Sequence, residues 1–178
     1  MKLVEETNPI LRKECDPFDF NDPVMDPYEL VDVLHKVRRD GRGIGLAASQ
    51  VNIDSRVLVI GMGDFDSEGT EDFDQCFFNP KITSTDGLNT YMIEGCLSFP
   101  GLFVKVKRPE NITLEWYTEE GSVCNERFTG ITSRIIQHEL DHLDGITFLQ
   151  RATRFHLEKA KKNRKYTKRR RERLDEKI

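Results

Sequence analysis

Two histidines four residues apart, with a glutamate beside the first, have the clearest chemical potential in this chain. They are His138 and His142, in the sequence Gln-His-Glu-Leu-Asp-His that begins at residue 137. Positions i and i+4 lie on one face of an α-helix, so both imidazoles can reach a single metal ion. Glu139 can then touch a water on that metal without binding the metal itself. The spacing therefore predicts a metal-dependent hydrolase.

The helix that would carry these residues is predicted from an apolar stripe. Ile131, Ile135, His138 and His142 fall at i, i+4, i+7 and i+11, and Gly145 marks the end of the pattern. A five-residue match to a metal motif can arise by chance on a charged surface helix. Such a helix would not align two isoleucines with both histidines. We therefore expect the isoleucines to pack on a sheet and to bury the imidazoles.

A third metal ligand is needed, because a catalytic site generally offers three protein ligands and keeps one position for water. A histidine, a carboxylate or a cysteine could supply it. Cys96 is the attractive candidate, since it lies in Glu-Gly-Cys-Leu-Ser-Phe-Pro at residues 94–100, where glycine and proline indicate a special backbone. A thiolate favours a soft or borderline metal. Taken alone, an inert buried thiol is the more common role for such a cysteine.

The remaining elements indicate a single α+β domain. An amphipathic helix follows Asp26-Pro27 and ends at Gly41. Strands are predicted at residues 56–60, 77–78, 112–117 and 123–128, the last two joined by a hairpin loop at 118–122. A solvated, basic helix is predicted at 155–174, and its few core residues would be Phe155, Leu157, Ala160 and Tyr166. We predict antiparallel β-sheets packed around a central metal-bearing helix. Residues 1–150 would form the catalytic domain and 151–178 a basic C-terminal helix or tail.

The length and the termini of the chain bound the class of protein. No apolar run in the 178 residues approaches the ~20 needed to span a bilayer. The first residues lack the apolar core of a secretory signal and are too acidic for a transit peptide, so we expect the mature protein to begin at Met1 and to be cytoplasmic. Of the four cysteines, Cys15, Cys76 and Cys124 are predicted to be structural or incidental thiols in a reducing compartment.

The net charge of −4 conceals two halves of opposite sign. Residues 151–178 contain thirteen Lys or Arg against four acids, whereas residues 1–150 contain fourteen against twenty-seven. A basic tail on an acidic body predicts a polyanionic partner for the tail. A solvated, partly disordered tail is the alternative.

Three further patterns resemble known sites but fail on their context. Residues 43–48 fit the letters of the dinucleotide fingerprint, but a helix is predicted before them and a strand after them, the reverse of what the motif needs. Residues 64–69 begin like an EF-hand loop, but the twelfth position is Gln75, so we predict a solvated acidic loop. His35 and His156 have no partner at ligand spacing and are predicted to be surface or packing residues.

Three segments together resemble one family. Residues 43–50, 94–98 and 137–145 resemble, in order and spacing, the three motifs of peptide deformylases, and the resemblance extends over about residues 1–150. It implies a metal-dependent hydrolase that removes the N-formyl group from the initiator methionine of nascent polypeptides and releases formate. The alternatives are a zinc peptidase with the same helix, or a ribosome- or RNA-binding protein with a vestigial site.

The resemblance also implies which residues perform the chemistry. Cys96, His138 and His142 would bind one divalent metal, usually Fe²⁺ and often replaced by Ni²⁺, Co²⁺ or Zn²⁺. Glu139 would act as general base and then general acid. The catalytic oxyanion would be met by two hydrogen-bond donors, the side chain of Gln50 and the backbone N–H of Leu97.

Substrate contacts are implied in the same way. Backbone groups of Ile44, Gly45 and Gly95 would hold the peptide as an added strand. An apolar pocket for the methionine side chain would be lined by Ile44, Met92, Ile131, Ile135 and the His138 ring.

Two departures from the family pattern limit what the resemblance implies. Some bacterial members have an arginine seven residues after the metal-binding cysteine, where this chain has Phe103. In some members a C-terminal helix docks the enzyme on the ribosome, but residues 159–173 here are more basic than that role requires. We expect formylmethionyl peptides and nascent chains as partners, rRNA through the tail, no membrane, and a monomer.

Overall fold

A computed structural model of the chain describes residues 1–61 and 74–175. The acidic segment 64–69 therefore lies outside the described residues. The helices and strands, in chain order, are α1 (Pro27–Asp40), β1 (Gly45–Ala47), β2 (Val57–Gly61), β3 (Asp74–Glu94), β4 (Val104–Tyr117), β5 (Val123–Thr129), α2 (Gly130–Leu143), α3 (Phe148–Arg151) and α4 (Arg154–Asp175), with 3-10 turns at Pro9–Arg12 and Ala48–Val51.

The five strands form one antiparallel sheet in the order β1-β2-β3-β4-β5, so each strand lies beside its neighbour in sequence. The longest pairing joins β3 to β4, from Phe78 opposite Tyr117 to Glu94 opposite Val104. β4 and β5 pair directly across residues 118–122, which confirms the predicted hairpin. The sheet and the helices around it confirm the predicted α+β class.

Strand β2 shows why the sequence there is continuously apolar. All five of its residues are buried, because the strand is covered on both faces. Leu58 and Ile60 belong to the hydrophobic cluster that includes residues of α2. Val57 and Val59 belong to the cluster on the other face, which includes residues of α1. A strand with both faces covered has no polar alternation, as the prediction of a buried strand required.

Helix α1 begins and ends where its sequence signals predicted. The side chain of Asp26 accepts hydrogen bonds from the backbone N–H groups of Tyr28 and Glu29, each at 3.1 Å. Pro27 occupies the first turn, where a missing N–H costs nothing. Gly41 then closes the helix, as expected.

The first half of helix α4 attaches it to the body. Ala160 is buried in a third hydrophobic cluster with Leu11, Phe99 and Phe148. Phe155 and Tyr166, by contrast, are 72% and 69% exposed. The helix is solvated and basic, as predicted, and Ala160 and Leu157 do pack on the body. The expectation that Phe155 and Tyr166 are core residues is wrong, because both lie on sides of the helix that no other element covers. None of the helices described is long and apolar enough to cross a membrane.

Two expectations about the elements need correction. β3 and β4 are much longer than the predicted strands at 77–78 and 112–117, because polar residues and Gly87 in the outer part of the hairpin hide the strand pattern. Ile131 does not pack on the sheet and is 42% exposed. It lies in the first turn of α2, and the continuously buried stretch of that helix begins only at Ser133.

Candidate metal centre

Three potential metal ligands meet beside the sheet. Cys96 lies in the connection between β3 and β4, and His138 and His142 project from adjacent turns of α2. Their ligand atoms all lie within 4.8 Å of one another, with Sγ of Cys96 3.2 Å from Nε2 of His142. The sheet thus places a loop cysteine opposite the buried face of the helix.

This donor set fits a divalent transition metal. Bonds of about 2.3 Å to sulfur and about 2.1 Å to nitrogen in a tetrahedral arrangement separate neighbouring ligand atoms by roughly 3.5 Å. The observed group needs only small adjustments to reach that geometry. One thiol and two imidazoles suit a soft or borderline ion such as Fe²⁺ or Zn²⁺ rather than Mg²⁺ or Ca²⁺.

The orientation of His138 is fixed by a buried carboxylate. Nδ1 of His138 lies 3.0 Å from Oε2 of Glu94, which leaves Nε2 of the ring for the metal. Arg108 donates to both oxygens of Glu94, at 2.8 and 3.0 Å, and Arg134 donates to one of them at 3.2 Å. Burial alone would raise the pKa of Glu94, but the hydrogen bonds with His138 and Arg108 lower it to about 2. Glu94 is therefore a permanent acceptor for the imidazole.

Glu139 lies at the same site but bonds to none of the described residues through Oε2, although that oxygen is buried. Burial raises the pKa of Glu139 to about 7, in the range where a carboxyl group can both accept and return a proton at neutral pH. Gly45 makes room for this side chain. A methyl group at Gly45 would lie only 2.8 Å from Cγ of Glu139, so any larger residue there would displace the carboxylate.

Gln50 presents a hydrogen-bond donor to the site. It lies in the 3-10 turn after β1, and its Oε1 accepts the backbone N–H of Ala47 at 2.8 Å. That bond directs Nε2 towards Sγ of Cys96, at 3.4 Å, and Oγ of Ser98, at 3.3 Å. A fully buried amide held in this way can meet negative charge on an oxygen beside the metal ligands.

A cleft of about 540 Å³ opens onto these groups. Its wall contains the predicted residues Ile44, Gly45, Gln50, Gly95, Cys96, Leu97, His138 and Glu139. Gly45 also begins β1, which pairs with β2 and has no other strand beside it in the described sheet. An extended peptide could hydrogen-bond to this free edge.

Three predicted pocket residues are not brought to this cleft. Met92 and Ile131 are 37% and 42% exposed, and Ile135 is buried in the core between α2 and the sheet. None of the three is among the described residues that line the cleft. Ile44 does line it, and packs against the cluster that contains Ile135. The role of the three residues in holding a methionine side chain stays a prediction.

Sequence reasoning missed the charged cluster that supports the ligands. Besides Glu94, Arg108 donates to Asp141 at 2.6 Å, and Arg151 donates to the other oxygen of Asp141 at 2.6 Å. Glu94 was inside a recognised segment, but no role followed from its position. Arg134, four residues before His138 on the helix, gave the best signal, because a charge on a buried face needs a partner.

The residues set aside by the sequence analysis lie away from the ligands. His35 is buried beside Arg38 and Asp74, and its ring is 3.6 Å from the carboxylate of Asp74. His156 packs against the rings of Tyr91 and Phe155. Both have packing roles, as predicted. Residues 43–48 follow α1 and precede β2, which confirms that they lack the context of a dinucleotide site.

The other thiols are also remote from the ligand set. Cys15 and Cys76 are buried in the two clusters on opposite faces of the sheet, and Cys124 packs beside the first of these clusters. All are free. Burial raises the pKa of Cys15 to about 11 and that of Cys76 to about 12, so both are neutral packing groups near pH 7.

Comparison with known proteins identifies relatives across most of the chain. The family model described as polypeptide deformylase matches residues 1–158. Peptide deformylase 2 of Xanthomonas campestris pv. campestris is 36% identical over 150 residues, which cover 84% of this chain and 85% of the relative.

Solved structures agree with this result. A Plasmodium falciparum peptide deformylase superposes with a TM-score of 0.81 at 32% identity, covering 94% of this chain and 95% of the other. A Synechococcus elongatus peptide deformylase in complex with actinonin gives a TM-score of 0.80 at 31% identity, covering 89% and 84%. The chain therefore belongs to the peptide deformylase family.

Proposed function

We propose that this chain removes the N-formyl group from the initiator methionine of nascent polypeptides and releases formate. The observation that carries the proposal is the convergence, in one cleft, of the Cys96, His138 and His142 ligand set with a buried carboxylate and a directed amide. A generic metal peptidase also needs a set of metal ligands and a buried carboxylate, but it does not need the directed amide. The amide of Gln50 suits a small carbonyl group placed close to the cysteine sulfur.

The chemistry divides between the metal and the chain. A divalent ion held by Cys96, His138 and His142 would lower the pKa of water and polarise a carbonyl oxygen. Glu139 accepts the proton of the attacking water and later delivers it to the methionine nitrogen as the C–N bond breaks. The Nε2 group of Gln50 and the backbone N–H of Leu97 donate to the formyl oxygen as it gains negative charge. Loss of one such donor typically raises the barrier by about 3 kcal/mol.

The peptide is held along the free edge of β1. Backbone groups of Ile44, Gly45 and Gly95, all in the cleft wall, pair with the substrate backbone in the manner of an added strand. Glycine is required at position 45 because Glu139 approaches its backbone, and at position 95 because the ring of Phe103 does. Phe103, 64% exposed, lines the cleft beside Gly95 and offers an apolar contact where some relatives would offer a charge.

Fe²⁺ is the native metal in this proposal, with Zn²⁺, Ni²⁺ or Co²⁺ as functional replacements. A thiolate ligand favours these ions, and the order of affinity does not by itself select among them. Metal analysis of protein purified without oxygen would identify the ion. An equimolar metal other than these four, bound with no dependence on Cys96, would contradict the ligand assignment.

A direct assay tests the reaction. The chain should release formate from formyl-Met-Ala-Ser and should leave Met-Ala-Ser unchanged. Internal fragments without formate would instead identify a peptidase and overturn the proposal. A matched His142→Ala variant should lose both the metal and the formate release, because it removes one of the three ligands.

The tail is proposed as a separate unit that docks on ribosomal RNA. Residues 1–150 form the catalytic domain in this proposal and 151–178 the basic extension, although the family model continues to residue 158. Ala160 is buried, and Arg164 forms a 2.8 Å ion pair with Glu6, so the helix is attached up to that point. Beyond Arg164 the exposed side chains are mostly basic.

Truncation after Arg164 tests the docking role without disturbing the attached part of α4. Ribosome pelleting should weaken, and the difference from the full chain should shrink as salt rises, because each phosphate contact releases counterions. Equal pelleting of both proteins would contradict the proposal. Action on nascent chains would place the protein in the compartment of translation. A monomer suffices, since one chain supplies every proposed ligand.

A further inference from the structure

A second cleft adjoins the metal cleft. It has a volume of about 590 Å³ and lies between α4 and the loop that follows Cys96. Both clefts are lined by Pro100, Gly101 and Phe103, so they meet along this loop. A chain that leaves the metal ligands past Phe103 can therefore enter the second cleft, which we call the α4 groove.

The α4 groove is lined on one side by a single face of the helix. The contributing residues are Ala160, Asn163, Arg164, Thr167, Lys168, Arg171 and Glu172, which follow the i, i+3, i+4, i+7 pattern of one helix face. Arg164 is already paired with Glu6. Lys168 and Arg171 are exposed and form no ion pair with any residue in the described ranges. Two basic side chains are thus free to bind a ligand in the groove.

The opposite face of α4 is also basic but does not border this groove. Arg169, Arg170 and Arg173 lie together there with Tyr166 and Leu174. The two faces carry the same kind of charge, and only one of them continues the substrate cleft. The two faces therefore differ in their position relative to the metal cleft and not in the sign of their charge.

We propose that the α4 groove binds the downstream part of the peptide substrate and that Lys168 and Arg171 favour acidic residues in that part. This inference rests on the proposed deformylase function. It assigns to one face of α4 a role in substrate selection. The net charge of residues 1–150, with twenty-seven acids against fourteen bases, does not favour acidic peptides. Arg42 is the one Lys or Arg among the described residues that line the metal cleft, and it is unchanged in the variants below.

The length of an extended chain determines which substrate residues can be read. A strand advances about 3.3 Å per residue, so the first three residues of a peptide span only about 10 Å and remain in the metal cleft. Residues after the third are therefore the ones that can extend past Phe103 into the α4 groove. The preference should therefore be absent in a tripeptide and present in a longer peptide.

Matched peptides and variants test the proposal with the full-length, metal-loaded protein. The substrates are formyl-Met-Ala-Ser and two nine-residue extensions of it, with Glu or Lys at positions five to eight. At low salt the wild type should have a kcat/KM about fivefold higher for the acidic nonapeptide, as expected for two exposed ion pairs. The K168E/R171E variant should lose or invert this preference.

The control variant is R169E/R173E, which changes the net charge by the same amount on the opposite face. It should keep the wild-type preference. The milder K168Q/R171Q variant should reduce the preference and protects the test against misfolding. Each nonapeptide rate is divided by the rate of the same variant on the tripeptide, so that a general loss of activity cancels.

Several outcomes would overturn the inference. The first is an equal kcat/KM for the two nonapeptides in the wild type. The second is an equal loss of preference in both double variants, which would mean that the electric field of the whole tail, and not the groove, causes the preference. Loss of ribosome pelleting in K168E/R171E with unchanged peptide preference would assign the groove to RNA. Absence of formate from the tripeptide would instead refute the proposed function. Normal tripeptide turnover without an acidic preference would refute only this inference.

Discussion

Helices α2 and α4 use their polar residues in opposite ways. In α2, every residue from Ser133 to Leu143 is buried, including one arginine, two histidines and two carboxylates. In α4, Ala160 alone is buried among the residues whose side chains are described, although the helix is longer. A comparison of the two helices therefore shows how burial changes what a charged side chain does.

Burial makes polar side chains in α2 specific. Arg134 must donate to Glu94, and Asp141 must accept from Arg108 and Arg151, because an unpaired charge at those positions would be costly. These ion pairs hold each charged side chain in one position. The metal ligand His138, which is hydrogen-bonded to Glu94, is thereby held in a fixed orientation. The exposed charges of α4 remain hydrated, so they need no fixed partner. They act chiefly through their summed electric field and through the surface that they line.

The largest contrast is expected between two glutamates, one in each helix. Glu139→Ala should lower the kcat for formate release about a thousandfold, since general acid–base groups typically contribute factors of this size. Glu158→Ala, at an exposed position of α4, should change kcat by less than about twofold. Steady-state formate assays would measure both. Similar rates for the Glu139→Ala variant and the wild type would show that another group moves the proton.

The next contrast concerns the stability that buried and exposed arginines provide. Arg108→Met leaves Glu94 and Asp141 short of a partner and should reduce the free energy of unfolding by about 3–5 kcal/mol. Arg170→Met, in the solvated helix, should change it by less than about 0.5 kcal/mol. Urea unfolding of the metal-free proteins would measure both values. Equal losses would mean that the buried cluster contributes no more than a surface charge.

A third contrast lies within β3, between its buried carboxylate, Glu94, and an exposed one, Asp86. Glu94→Gln removes the charge that orients His138 and should weaken metal affinity about 10- to 100-fold. Asp86→Asn removes an equally good ion pair, with Arg127, but far from the ligands and at the surface. It should leave metal affinity unchanged. Competition with a chelator would measure both, and a normal affinity in Glu94→Gln would show that packing alone orients the ring.

The smallest effect is expected when the exposed part of α4 is removed. Truncation after Arg164 keeps Ala160 and the ion pair with Glu6, so turnover of formyl-Met-Ala-Ser should change by less than about twofold. Formate assays and thermal unfolding of the two proteins would measure this. A large fall in tripeptide turnover would mean that the helix supports the cleft directly and would remove the distinction between the two helices.

The sequence by itself determined the elements whose signals are local. The cap at Asp26, the unbroken apolar run in β2 and the histidine spacing in α2 each depend on neighbours within a few residues. Such patterns reflect the 3.6-residue and two-residue periods of helices and strands. The resemblance in three segments then gave the family, which the comparisons confirmed.

Only the tertiary structure decided which polar groups lose contact with water and which partners they meet. Glu94, Arg108 and Asp141 are far apart in sequence, and no local pattern predicts that they share one cluster. The exposure of Ile131 and the meeting of the α4 groove with the metal cleft depend in the same way on how α2 and α4 dock. Periodicity specifies an element, but the surroundings of its side chains depend on long-range packing, which one sequence encodes only indirectly.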